Sequence, residues 1–154
     1  VAAEYRNRLE KARVKLEIVE SAGSVENLAL LASGEVDVAF VQGGTVPLEA
    51  ARTLMALGTV YLEPLWVFYR GEAELERLSD LEGKRVAVGL DGSGTRLLAL
   101  GLLEDNGLSE ENTSYLDMGG RAAADALLAG EVDAAFFVVD PSAPLVGALR
   151  IFRA

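Results

Sequence analysis

The residues best placed for chemistry are Gly89-Leu90-Asp91-Gly92-Ser93-Gly94-Thr95-Arg96, which join an apolar strand pattern to a helical one. Glycines let the backbone turn sharply, and the first amides of a following helix have no internal acceptor. Together with the positive end of the helix dipole, that makes a receptive place for a carboxylate or phosphate. Ser93 and Thr95 bring hydroxyls, and Arg96 could form a two-pronged pair with a carboxylate. The same residues also suit a plainer role, with Ser93 capping the helix and Arg96 lying in solvent; both readings stay open. The P-loop lysine and the G-x-G-x-x-G spacing of dinucleotide folds are both missing, so ATP and NAD are disfavoured and no cofactor is expected.

Ligands of open α/β sheets sit beyond the carboxyl ends of strands, which points to further loops. Gln42-Gly43-Gly44-Thr45 offers the neutral bonds of Gln42 and Thr45 beside Gly43, and Met118-Gly119-Gly120-Arg121 offers the charge of Arg121. Residues 21–24 and Asp140-Pro141-Ser142 complete the set, although Asp140 suits a helix cap better than a ligand contact. Tyr61, Trp66 and Tyr69 fit core packing on an alternating strand better than the wall of a cleft. Glu72, Glu74, Glu76, Glu110 and Glu111 read as solvated.

What is missing narrows the chemistry further. The chain has no Cys and no His, which removes thiol nucleophiles, disulfides, Ser-His pairs and the commonest metal ligands. No two carboxylates are spaced for acid and base roles, so the chain reads as a binder and not an enzyme, with no metal site.

Positioning these loops falls to alternating elements. Helices are expected over residues 2–12, 24–33, 47–55, 96–106 and 120–129, with strands over 14–19, 36–41, 85–89, 113–116 and 132–139. Residues 57–70 read as two extended segments bent at Glu63-Pro64. Strand and helix in alternation with short loops mean an α/β layer structure with mostly parallel sheets.

An internal repeat says more. Residues 31–40, LASGEVDVAF, align without a gap on 127–136, LLAGEVDAAF, at an offset of 96 with seven of ten positions identical. Self-similarity at a fixed offset marks duplicated units. The first copy should then be preceded by a counterpart of the 85–96 strand and loop, and at this offset that counterpart would lie before Val1. We therefore expect a partial first lobe in residues 1–62 and a second lobe with the crossover strand in 63–154. An incomplete sheet edge of that kind invites a homo-oligomer.

The 154 residues are 51% hydrophobic and 25% charged, an ordinary globular composition. The net charge of −10 argues against nucleic acid or an anionic membrane as the main partner. No apolar run reaches membrane-spanning length, and the charged first residues are not a signal peptide.

Ser24-Val25-Glu26-Asn27-Leu28, Leu31-Ala32-Ser33-Gly34-Glu35-Val36-Asp37, Leu81-Glu82-Gly83-Lys84-Arg85-Val86-Ala87-Val88-Gly89 and Gly92-Ser93-Gly94-Thr95-Arg96 resemble the TAXI family, the TRAP-associated extracytoplasmic immunogenic solute receptors among the type 2 periplasmic binding proteins. The resemblance implies two similar α/β lobes, the first incomplete here, and a small organic anion, an amino acid or carboxylate, held between them. It implies an extracytoplasmic or periplasmic location and a membrane transporter as partner. Ser93, Gly94 and Thr95 would form the second-lobe ligand loop, Gln42 and Gly43 a first-lobe strand end, and residues 57–69 the crossover. The alternatives are a ligand-sensing regulatory module of the same fold and, further off, a phosphoribosyl-type transferase.

Overall fold

The computed structural model describes residues 2–71 and 75–151. Its helices are α1 (Ala2–Lys11), α2 (Ser24–Ser33), α3 (Leu48–Ala51), α4 (Gly94–Asp105), α5 (Gly120–Ala129) and α6 (Pro144–Ile151); its strands are β1 (Leu65–Tyr69), β2 (Arg85–Ala87), β3 (Ser114–Leu116) and β4 (Ala134–Val138). The strands form one mixed sheet in the order β1-β4-β2-β3, antiparallel between β1 and β4 and parallel elsewhere. This is the α/β layering expected from the sequence, with parallel pairing at two of the three strand contacts.

Successive side chains of a strand point to opposite faces, so a central strand must be apolar throughout. β4 satisfies this. Ala135 and Phe137 pack with Ala123, Leu127 and Leu149 under α5 and α6, while Ala134 and Phe136 pack with Val86, Ala99 and Leu103 under α4. Among the described residues, every buried apolar side chain falls between Leu81 and Leu149.

The strands expected over 14–19 and 36–41 are not formed: both segments lie outside the sheet. A strand is held by a ladder partner and by burial of its faces. β4 has β1 and β2 beside it, and no described segment plays those roles for 36–41. The helix expected over 47–55 stops at Ala51, because Met55 stands 89% exposed and a short helix without a packed face is marginal. α4 starts two residues before the expected Arg96. Of the acidic runs, Glu76, Glu110 and Glu111 are exposed, whereas Glu72 and Glu74 lie outside the described residues.

The turn between α5 and β4 is anchored by Asp133. Its carboxylate accepts from the Arg85 amide at 2.8 Å and from the Arg85 guanidinium at 2.8 and 3.0 Å, and the same guanidinium donates to the Gly130 carbonyl. The Arg85 side-chain bond, helped by its amide and charge and opposed by burial, holds the Asp133 pKa at about 2 against 3.8. Because the folded value lies below the unfolded one, the pair stabilises the fold above pH 4 and that contribution is lost as the pH falls through 2. The Arg85 side chain is 47% exposed, so solvent screening keeps the gain well below what the full shift would give. Asp133→Asn is expected to lower the urea midpoint at pH 7, with the gap to the parent protein closing below pH 3. A gap that does not change with pH would refute this account.

Candidate functional site

Three loops meet at one place. Ser93 is the N-cap of α4: its Oγ accepts from the Arg96 amide at 3.2 Å and donates to the Leu90 carbonyl at 2.6 Å. Gly94 and Thr95 thereby become the first helical residues, and no acceptor among the described residues takes their amides. Gly89 makes the turn tight enough. It has φ +104°, and a Cβ on it would lie 2.8 Å from the Arg96 nitrogen.

The second loop arrives from α2. A Cβ on Gly23 would lie 3.3 Å from Ser93 Cα, and one on Gly92 3.5 Å from Ala22 Cβ, so residues 22–24 and 92–94 touch along their backbones. The amides of Ser24, Val25 and Glu26, at the start of α2, also take no acceptor among the described residues. Two helix N-termini, each carrying a partial positive charge, therefore come together.

The third loop is Gln42-Gly43-Gly44-Thr45. The Gln42 amide donates to Ser24 Oγ at 2.9 Å, and Thr45 Oγ1 donates to the Gln42 carbonyl at 2.7 Å. Asn27 ties the set together by donating to the Phe40 carbonyl at 2.8 Å and accepting from Ser21 Oγ at 2.6 Å. The Gln42 side-chain oxygen is buried without a hydrogen-bond partner and lies where a methyl on Gly94 would collide with it. A buried acceptor without a donor is costly, so this oxygen is the least satisfied polar atom of the site.

Ser93, Gly94, Thr95, Gln42, Gly43 and Thr45 thus share one locus, with Thr45 buried, Thr95 half-buried and Gly43 exposed. The Arg96 guanidinium is paired with Asp117, a residue the sequence reading passed over although it follows the carboxyl end of β3, where a partner was to be sought. Ser24 falls in the 21–24 loop that the sequence pointed to, whereas Asn27 was passed over. Arg121 stands apart: its side chain is 86% exposed and pairs with Asp125 along α5.

The β4 end serves structure. Asp140 accepts from the Ser142 amide and hydroxyl at 2.7 and 2.5 Å, forming the turn into α6, and these bonds lower its pKa. Nearby, desolvation first and Glu63 second raise the Tyr61 pKa. Trp66 and Tyr69 pack on opposite faces of the sheet. Among the described residues no three Asp or Glu side chains gather as a metal site, and no helix is long and apolar enough to cross a membrane.

The NMT1-like family model matches residues 1–149. The fold is similar to that of the periplasmic aliphatic sulphonate binding protein SsuA from Escherichia coli, at 24% identity and TM-score 0.59 over 98% of this chain and 52% of that one. The alkanesulfonate-binding protein SsuA from Xanthomonas axonopodis pv. citri, bound to MOPS, matches at 28% identity and TM-score 0.55 over 91% of this chain and 50% of that one. An ancestral arginine-binding protein bound to arginine matches at 22% identity and TM-score 0.61 over 97% of this chain and 60% of that one. The chain spans about half of the SsuA structures and 60% of the arginine-binding protein.

Proposed function

The chain belongs to the NMT1-like family, and from that premise we propose that it is the ligand-holding part of an extracytoplasmic solute-binding protein. The observation that carries the proposal is the meeting of the α2 and α4 N-termini around Gln42. Free amides from two helices suit a small anionic group. Residues 1–62 would be a partial first lobe and 63–154 the second, with the loops between them as the ligand seat.

The ligand is a small organic anion, an amino acid or another carboxylate; the sulfonates bound by the SsuA proteins present a similar compact charge and belong in the same search. At a finer level, the chain would act as a TAXI-type receptor delivering its solute to a TRAP-type membrane transporter, a reading supported by the Gly-Lys-Arg-Val and Gly-Ser-Gly-Thr segments.

A thermal-shift screen with amino acids, dicarboxylates and alkanesulfonates tests the binding. One class should raise the melting temperature. Thr95→Val, which removes a hydroxyl beside the free amides, and Gln42→Ala should each weaken that ligand about tenfold, the worth of one hydrogen bond to a charge. Full affinity in both variants would remove the ligand from this locus.

A further inference from the structure

Among the ion pairs of the described residues, Arg96 with Asp117 is unlike the rest. The Arg96 side chain is 20% exposed, the most enclosed cation of the set, whereas Asp117 is 61% exposed. Arg85 engages Asp133 through both Nε and Nη2. Asp117 instead reaches Arg96 through one oxygen on Nη1, and the remaining N–H groups of that guanidinium meet no acceptor among the described residues. A guanidinium is a planar fork of donors, so Arg96 keeps an unused edge. An enclosed cation needs a counter-ion, and the fold supplies this one. Asp117 follows β3 in a loop packed on the β2–α4 turn, where a Cβ on Gly119 would lie 3.6 Å from Gly89 Cα.

The charge of the ligand seat follows from this pairing. Gly94 and Thr95 open α4, and Ser24, Val25 and Glu26 open α2, with amides that take no acceptor among the described residues. Each helix start is worth about half an elementary charge, so the two together offer roughly one. No side-chain cation adds to it: Arg96 is cancelled by Asp117, and Arg121, 86% exposed, is paired with Asp125. The loops themselves carry acids. Glu26 accepts from the Ala22 amide at 2.6 Å, and Asp91 is exposed beside Gly92. One negative group on a solute is therefore matched, while a second would stand among carboxylates.

We infer that the seat selects by charge, taking a solute with a single compact anionic group, carboxylate or sulfonate, and rejecting one with two, and that Asp117 is the residue that sets this selectivity. This charge class rests on the solute-binding reading above and narrows it. A site discriminates by what it repels as well as by what it holds. Asp117 acts through Arg96: by occupying the guanidinium it denies the fork to a second acid group, which would otherwise bind there in two-pronged fashion.

The test measures Kd by calorimetry on the whole chain for matched probes that differ by one acid group: glutamine with glutamate, butyrate with succinate, and ethanesulfonate with ethane-1,2-disulfonate. Within a pair that binds, the parent protein should hold the single-acid member at least about tenfold tighter. Asp117→Asn should strengthen the two-acid member about tenfold, the worth of a hydrogen bond to a charged group, and change the single-acid member by less than about threefold, as a screened charge does. Asp117→Glu should keep the parent ratio. In an Arg96→Ala background Asp117→Asn should bring no gain, which separates action through the guanidinium from general repulsion. Glu110→Gln removes an equal charge from the loop ahead of β3 and should leave the ratio alone. Equal affinity for both members of a pair, preference for the two-acid member, or an Asp117→Asn protein with the parent ratio overturns the charge selection and leaves the solute-binding reading standing. Absence of binding by every probe overturns both.

Discussion

Gly89→Ala is expected to destabilise the protein by about 3 kcal/mol and to open the candidate site. Gly89 has φ +104°, and its missing Cβ would lie 2.8 Å from the Arg96 nitrogen and 3.0 Å from Ser93 Oγ. Such a backbone conformation costs an L-residue about 1–3 kcal/mol. The neighbours are a backbone amide and the capping hydroxyl, so the clash cannot be relieved by swinging a flexible side chain aside. The start of α4 must shift, and the Ser93 cap, worth about 1 kcal/mol, goes with it. At roughly 2–4 °C per kcal/mol for a chain of this size, the melting temperature should fall by about 6–12 °C. Gly101→Ala, where a Cβ meets nothing within 4 Å, should have the opposite sign, since alanine favours a helix interior by about 1 kcal/mol. A Gly89→Ala protein as stable as the parent would mean that β2 and α4 do not meet through this turn.

Phe136→Ala is expected to cost about 3–5 kcal/mol, as truncations of buried aromatic side chains do, whereas Phe40→Ala should cost about 1 kcal/mol. The two phenylalanines hold the same place in the repeat. Phe136 is fully buried between the sheet and α4; Phe40 is 43% exposed and its ring contact is an edge-on approach to Tyr5 at 5.8 Å. Paired urea titrations of the two variants measure how much further the second copy is packed than the first. Equal losses would show that both are buried in solution and would contradict the described packing of residues 36–41.

Local chemistry explains how much of the fold could be read in advance. Helices α2 and α5 announce themselves by an apolar period ended by a glycine, and Gly34 and Gly130 do adopt the left-handed conformation that such a stop demands. β4 is legible because AAFFV has no polar face to turn outward. Residues 14–19 alternate apolar and polar and 36–41 are mostly apolar, both of them strand patterns, yet a pattern states only what a segment would bury if a partner came. The error on α3 has the same origin: helical spacing over 47–55 gains nothing without a surface to pack on.

At the site, residue types and loop positions pointed to Ser93 through Arg96 and to Gln42 through Thr45, because glycines before a helix and polar groups at strand ends are local features. The contact of Gly23 with Ser93, the seating of Gln42 against Gly94 and the pairing of Arg96 with Asp117 join positions 21 to 70 residues apart, and no spacing rule reaches across a fold. Arg121 shows the converse. Its i,i+4 partner Asp125 was there to be read, and that pairing turns the side chain along its own helix.

Taken alone, the amino-acid sequence determined the α/β layering, the repeat at 96 and the character of the glycine loops, since these depend on backbone freedom, apolar period and the charge of nearby residues. Tertiary structure alone decided which copy of the repeat entered a sheet and which loops came to face one another. Burial and ladder bonding are properties of two segments in contact, and a strand's neighbour is written nowhere in its own residues.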